Sequence, residues 1–117
     1  MSNTHKKYIV VIAEDEAPIR EEYARICKQF GFKVKKIFHK PTEISDLEHH
    51  EVCFFTNFED AKAGIYALQQ SSEHHIAALI TDQVLDPNHP NYYSYNGPFG
   101  TTLIHMFGRS INPPGGN

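Results

Sequence analysis

KYIVVIAEDEAP, residues 7 to 18, decides how the rest of the chain is read. From Tyr8 to Ala13 the run is apolar and rich in β-branched side chains, the mark of a strand buried on both faces. It then breaks into Glu14, Asp15 and Glu16, with Pro18 close behind. Carboxylates packed this closely repel one another, which raises their pKa values unless positive charge lies between them. A solvated loop that starts the next helix accounts for such a run. So does a cation site.

Working outward, PIREEYARICKQFGF (residues 18 to 32) places Ile19, Tyr23, Ile26, Cys27 and Phe30 at helical spacing. Pro18 suits the first turn of that helix and Gly31 its end. FKVKKIF (32 to 38) alternates enough for a strand. VCFF (52 to 55) is either a further strand or the true second strand of the sheet, and the pattern alone does not choose. Between them HKPTEISDLEHHE (39 to 51) is polar and reads as an inserted loop with one helical turn after Thr42. TNFEDAKAGIYALQQ (56 to 70) offers Thr56 with Glu59, or Asn57 with Asp60, as a helix-starting capping box. Phe58, Ala61, Ile65 and Leu68 form the buried face of that helix.

HIAALITD (75 to 82) is a third apolar run, and it too ends in an acid, Asp82. A loop rich in turn formers and aromatics follows over residues 86 to 99, then a short helix, TTLIHMF. The tail, residues 111 to 117, contains Pro113, Pro114, Gly115 and Gly116 and reads as flexible. One domain over residues 1 to 110 is therefore expected. Strands alternating with helices imply a parallel α/β sheet with right-handed crossovers. In open sheets of this kind ligands bind beyond the carboxyl ends of the strands. If the first and third strands are neighbours, Glu14, Asp15 and Asp82 converge there.

Composition removes several alternatives. The 117 residues suffice for one core, and 40% hydrophobic with 21% charged residues is ordinary globular usage. A net charge of −3 gives no nucleic-acid footprint, and the Lys33, Lys35 and Lys36 cluster is too small to make one. The apolar stretch from Tyr8 to Ala13 is too short for a signal peptide and runs into acids. No segment is long enough to span a membrane. Cys27 and Cys53 fit neither a metal-ligand spacing nor a disulfide framework, so free thiols in a reducing cytoplasm are expected.

Three carboxylates at one sheet edge suit a hard divalent ion. Mg²⁺ takes oxygen ligands, keeps several waters and is held by one or two carboxylates together with a phosphate. A carboxylate can also accept a phosphoryl group as an aspartyl phosphate. At this point the chain resembles a family. YIVVIAEDEAPIREEYARICKQFGFKV, NFEDAKAGIYAL, AALITDQVLDP and GTTLIHMF together resemble the receiver domain of two-component response regulators. The likeness covers roughly residues 7 to 107 with breaks, and its specificity lies in the order and spacing of individually weak motifs.

The resemblance implies a three-layer, flavodoxin-like fold with helices on both faces. It is incomplete here, with about three parallel strands in the order second, first, third. In the family an acidic pair follows the first strand, which matches Glu14 and Asp15, and the second acid binds Mg²⁺ directly. The phosphoacceptor ends the third strand and matches Asp82. Val84, two residues on, would offer its backbone carbonyl to the metal. The implied function is that of a phosphorelay signalling module, with Asp82 phosphorylated by a histidine kinase or phosphotransfer protein. No catalytic function of its own is expected.

The departures are as informative. The family's fourth strand supplies a Ser or Thr to the phosphoryl group and its fifth a Lys, and neither has a counterpart in INPPGGN. An alternative is therefore a degenerate receiver serving only as a protein-interaction module. A three-stranded sheet leaves the third strand as an open edge, a template for pairing with another chain, so a homodimer, or the need for a partner, through that edge is expected.

Other features are weighed lower. The pairs His49-His50 and His74-His75 lack zinc-ligand spacing and read as solvated loop histidines. Tyr92, Tyr93, Tyr95 and Phe99 read as rings packed over an exposed edge, or else as a recognition surface. Haloacid-dehalogenase-type phosphatases need Asp-x-Asp, and here Glu14 and Glu16 hold that spacing, so that nucleophile is missing.

Overall fold

The apolar runs become three parallel strands, because each is flanked by a helix that carries the chain back to the same sheet end. The computed structural model describes residues 6–82, Leu85 and 100–111, the side chains of the last segment only as far as 105. The elements in chain order are β1 (Lys7–Ala13), α1 (Ala17–Gln29), β2 (Val52–Phe55), α2 (Phe58–Gln70), β3 (His74–Thr81) and α3 (Gly100–Ile111), with a 3-10 helix over Pro41–Asp46 between α1 and β2. The sheet order is β2-β1-β3 and both pairings are parallel. This is the α/β architecture expected of an incomplete flavodoxin-like fold.

Alternation along the central strand separates two cores. Ile9, Val11 and Ala13 face α2, the 3-10 helix and α3, where they meet Phe58, Ala61, Ile65, Leu68 and Leu103. Val10 and Ile12 face the other way, toward Ala24, with Tyr23 and Cys27 packed at the margin. Helices thus cover both faces of the sheet.

Of the two alternatives for the second strand, VCFF forms it. FKVKKIF instead runs beside β2 with a single bridge, Lys33 to Glu51. Burial decides this, since all four residues of VCFF are buried whereas the lysines of the earlier stretch reach solvent. The stretch read as an inserted loop carries the 3-10 helix and anchors it through Leu47, which is 1% exposed.

Helix ends follow local chemistry. After α1 the Phe32 N–H donates to the Cys27 carbonyl and the Gly31 N–H to the Lys28 carbonyl, with Gly31 at φ 89°. That is the Schellman arrangement, in which glycine takes the left-handed position without a Cβ penalty. At α2 the Asn57 Oδ1 accepts from the Asp60 N–H at 2.8 Å, so Asn57 is the cap, not Thr56.

The stripe expected to bury α1 is split. Tyr23 and Cys27 pack toward the sheet beside buried Arg20 and Ala24, whereas Ile19, Ile26 and Phe30 are exposed. Five apolar residues at helical spacing span a wider arc than a three-stranded sheet can cover. The last helix is longer than TTLIHMF and reaches Ile111. Val84, the aromatic loop at 86–99 and the tail at 112–117 lie outside the described residues.

Candidate metal centre

The carboxyl ends of the strands lie level. Ala13 pairs with Phe55 on one side and with Thr81 on the other. Glu14 and Asp82 therefore leave the sheet side by side. The Asp82 N–H donates to the Ala13 carbonyl at 3.2 Å, and the Glu14 N–H to the Phe55 carbonyl at 3.0 Å. These bonds extend the ladder one residue past each strand, so the backbone itself aims the two acids.

Carboxylate oxygens of Glu14, Asp15 and Asp82 all lie within 4.8 Å of one another. Glu14 is 5% exposed, while Asp15 and Asp82 face solvent. Burial pushes the Glu14 carboxyl above the ordinary carboxylate range. The Glu16 N–H, donating to Glu14 Oε2 at 3.2 Å, pulls against this, and the Asp15 and Asp82 carboxylates push the same way as burial. Burial first, and the neighbouring acids second, disfavour its charged form, an environment that a bound cation would relieve.

The donor set fits a hard divalent ion. Three carboxylates supply only oxygen, and two open to water leave positions for retained solvent. Among the described residues no other group of three His, Cys, Asp or Glu side chains converges in this way. Asp15, Asp82 and Glu14 are thus brought together as the sequence implied. The carbonyl of Val84 lies outside the described residues.

Two features of the site were not legible in the sequence. Arg20 is 8% exposed, and its guanidinium donates to two backbone carbonyls: Nη1 to Glu14 and Nε to Ile37, each at 2.9 Å. It therefore fixes the peptide that presents Glu14. Within PIREEYAR it reads as one more charge on a helix surface, and only the docking of α1 turns it inward. The second feature is Gly100, where α3 begins. A Cβ there would stand 2.5 Å from the Asp82 carbonyl oxygen. Only glycine lets the helix start so close to the end of β3.

The paired histidines lie at the opposite end of the sheet. His49 Nδ1 accepts the Tyr8 N–H at 3.0 Å, and the His49 and His50 rings stack with centroids 3.8 Å apart. His74 Nδ1 lies 2.8 Å from Ser71 Oγ, and His74 is buried. Of the four, His74 is buried within β3, whereas His49, His50 and His75 are exposed. Cys27 and Cys53 are free thiols, and burial pushes both thiols up and so keeps them protonated. No helix among the described residues is long and apolar enough to cross a membrane.

The chain matches no family model, no curated protein and no solved structure.

Proposed function

We propose that the protein is a receiver-like signalling module that binds Mg²⁺ at Glu14, Asp15 and Asp82 and accepts a phosphoryl group on Asp82. The observation that carries this reading is the convergence of the three carboxylates at the carboxyl edge of a parallel sheet. Asp15, exposed and close to Asp82, would ligate the ion directly, and buried Glu14 would orient one of its waters. Bound Mg²⁺ would neutralise charge on the oxygens of the transferring phosphoryl group.

In the transfer, a carboxylate oxygen of Asp82 attacks the phosphorus of a phosphohistidine on a kinase or phosphotransfer protein. A P–O bond forms as the P–N bond breaks, and the imidazole leaves with the electron pair and takes up a proton. The start of α3 against Asp82 adds the partial positive charge of a helix N-terminus. Two free thiols accord with a cytoplasmic setting.

Intact mass after incubation with Mg²⁺ and a small acyl-phosphate donor tests this reading. One phosphoryl adduct is expected on the wild type and none on Asp82→Asn. Folded wild-type protein that stays unmodified overturns the acceptor role.

A second reading, an interaction module without phosphotransfer, is favoured by the exposure of Ile19, Ile26 and Phe30 along α1 and of Ile80 on β3. Its occupant would be a second copy of the chain, meeting the first at the β3 edge.

A further inference from the structure

The crossover from α1 to β2 is fastened at its far end by one histidine. His39 is 3% exposed, its backbone N–H donates to the Phe54 carbonyl at 2.6 Å, and its Nδ1 accepts the Phe54 N–H at 3.0 Å. Backbone and side chain of His39 thus supply to one residue of β2, Phe54, what a neighbouring strand would otherwise supply. Because Nδ1 is an acceptor, the proton of the neutral ring sits on Nε2. Nε2 faces Glu51 Oε2 at 3.9 Å, beyond hydrogen-bond reach. Around it lies a cavity of about 190 Å³ lined by Lys35, Lys36, Glu43, Asp46, Leu47 and Glu51.

Two residues before His39, the carbonyl of Ile37 accepts from Arg20, whose other donor holds the carbonyl of Glu14. A continuous set of contacts therefore runs from Phe54 through His39 and Ile37 to Arg20 and the acidic site. We propose that the crossover segment is a latch, held shut by neutral His39 on β2, whose opening loosens Arg20 and weakens cation binding at Glu14, Asp15 and Asp82. This rests on the cation reading of that site.

The chemistry of release is local. Protonating Nδ1 turns the acceptor into a donor facing the Phe54 N–H, so the contact is lost and two buried donors oppose each other. Burial and Lys36 disfavour the imidazolium, while Glu51, the Phe54 backbone and Glu43 favour it; Asp46 and Lys35 line the same cavity with opposite charges. Burial holds the His39 pKa below its ordinary value, against the pull of Glu51. A depressed folded pKa means that the latch contributes stability above the unfolded value of about 6.5 and loses it as pH falls through the folded one. By linkage, if protonation weakens Mg²⁺ binding, Mg²⁺ lowers the His39 pKa.

The test uses the full chain, labelled for NMR, as wild type and as His39→Asn, whose amide oxygen replaces Nδ1 but does not titrate. Amide protection at Phe54 and Mg²⁺ affinity are measured at about pH 7.5 and about pH 5.5, the range over which histidine changes charge. Acidification is expected to strip Phe54 protection from the wild type and not from the variant. Mg²⁺ affinity should fall about fivefold more in the wild type than in the variant, the low end of ordinary coupling between sites. Equal losses in the two proteins overturn the latch. Should His39→Asn not fold, the wild-type His39 ring decides. An Nε2–H tautomer whose pKa falls on adding Mg²⁺ supports the latch, and an Nδ1–H tautomer or a pKa indifferent to Mg²⁺ overturns it. If Phe54 responds as expected while Mg²⁺ shifts nothing at Glu14, Asp15 or Asp82 at the higher pH, the cation reading fails and takes the coupling with it.

Discussion

Glu14 carries the electrostatic tension of the fold. It is buried beside two exposed carboxylates, and its pKa is raised chiefly because its charge is desolvated. For an acid raised in the folded state, stability is full below the unfolded pKa and is lost as pH rises through the folded one. Glu14→Gln is the permanent counterpart of the protonated acid. In chelator, thermal melts should therefore show the variant more stable than the wild type at neutral pH, with the two converging near pH 4, just below the usual glutamate pKa. Millimolar Mg²⁺ should raise the wild-type midpoint more than the variant's. A variant less stable than the wild type in chelator at neutral pH would refute this account of Glu14.

At the scale of elements, α2 and β2 show how closely the layers fit. Gly64 lies on the face of α2 that meets the sheet, and a Cβ there would overlap the Cζ end of the Phe55 ring. Gly64→Ala should cost about 1–3 kcal/mol in urea unfolding, the ordinary price of overpacking a core. Phe55→Leu in the same chain should return part of that loss by vacating the space. If Gly64→Ala alone is neutral, the helix is not seated as described. Much of α2 was legible beforehand, because a cap, a 3.6-residue period and a buried face all agree within thirteen residues. The crossover was not. Its alternation fits a strand, but whether FKVKKIF or VCFF joins β1 depends on which one the 3-10 helix and α2 can bury.

At the scale of the whole molecule, three strands leave apolar surface that a wider sheet would cover. Phe30 is 76% exposed, and Ile19 and Ile26 lie on the same side of α1, the layer opposite α2 and α3. On the second reading of function, β3 edges of two copies pair and continue the sheet. Sedimentation across a hundredfold range of concentration, roughly 1 to 100 µM, should then show a monomer–dimer equilibrium, because an interface of this kind has to repay several kcal/mol of lost freedom. Ile80→Lys on β3 should shift it toward monomer. A monomer throughout would rule out self-association as the purpose of that surface.

By itself the sequence determined the strand–helix alternation, the parallel sheet and the acids at its carboxyl edge. Those features rest on local periodicity and on the rule that a crossover returns the chain to the same end. Only the tertiary structure decided that Glu14 is buried while Asp15 is not, that Arg20 turns inward to two carbonyls, and that His39 clasps β2. The physical reason is common to all of them. Each depends on what lies across the sheet or against a helix from a distant part of the chain, and burial changes the energy of a charge far more than any neighbour in sequence can reveal.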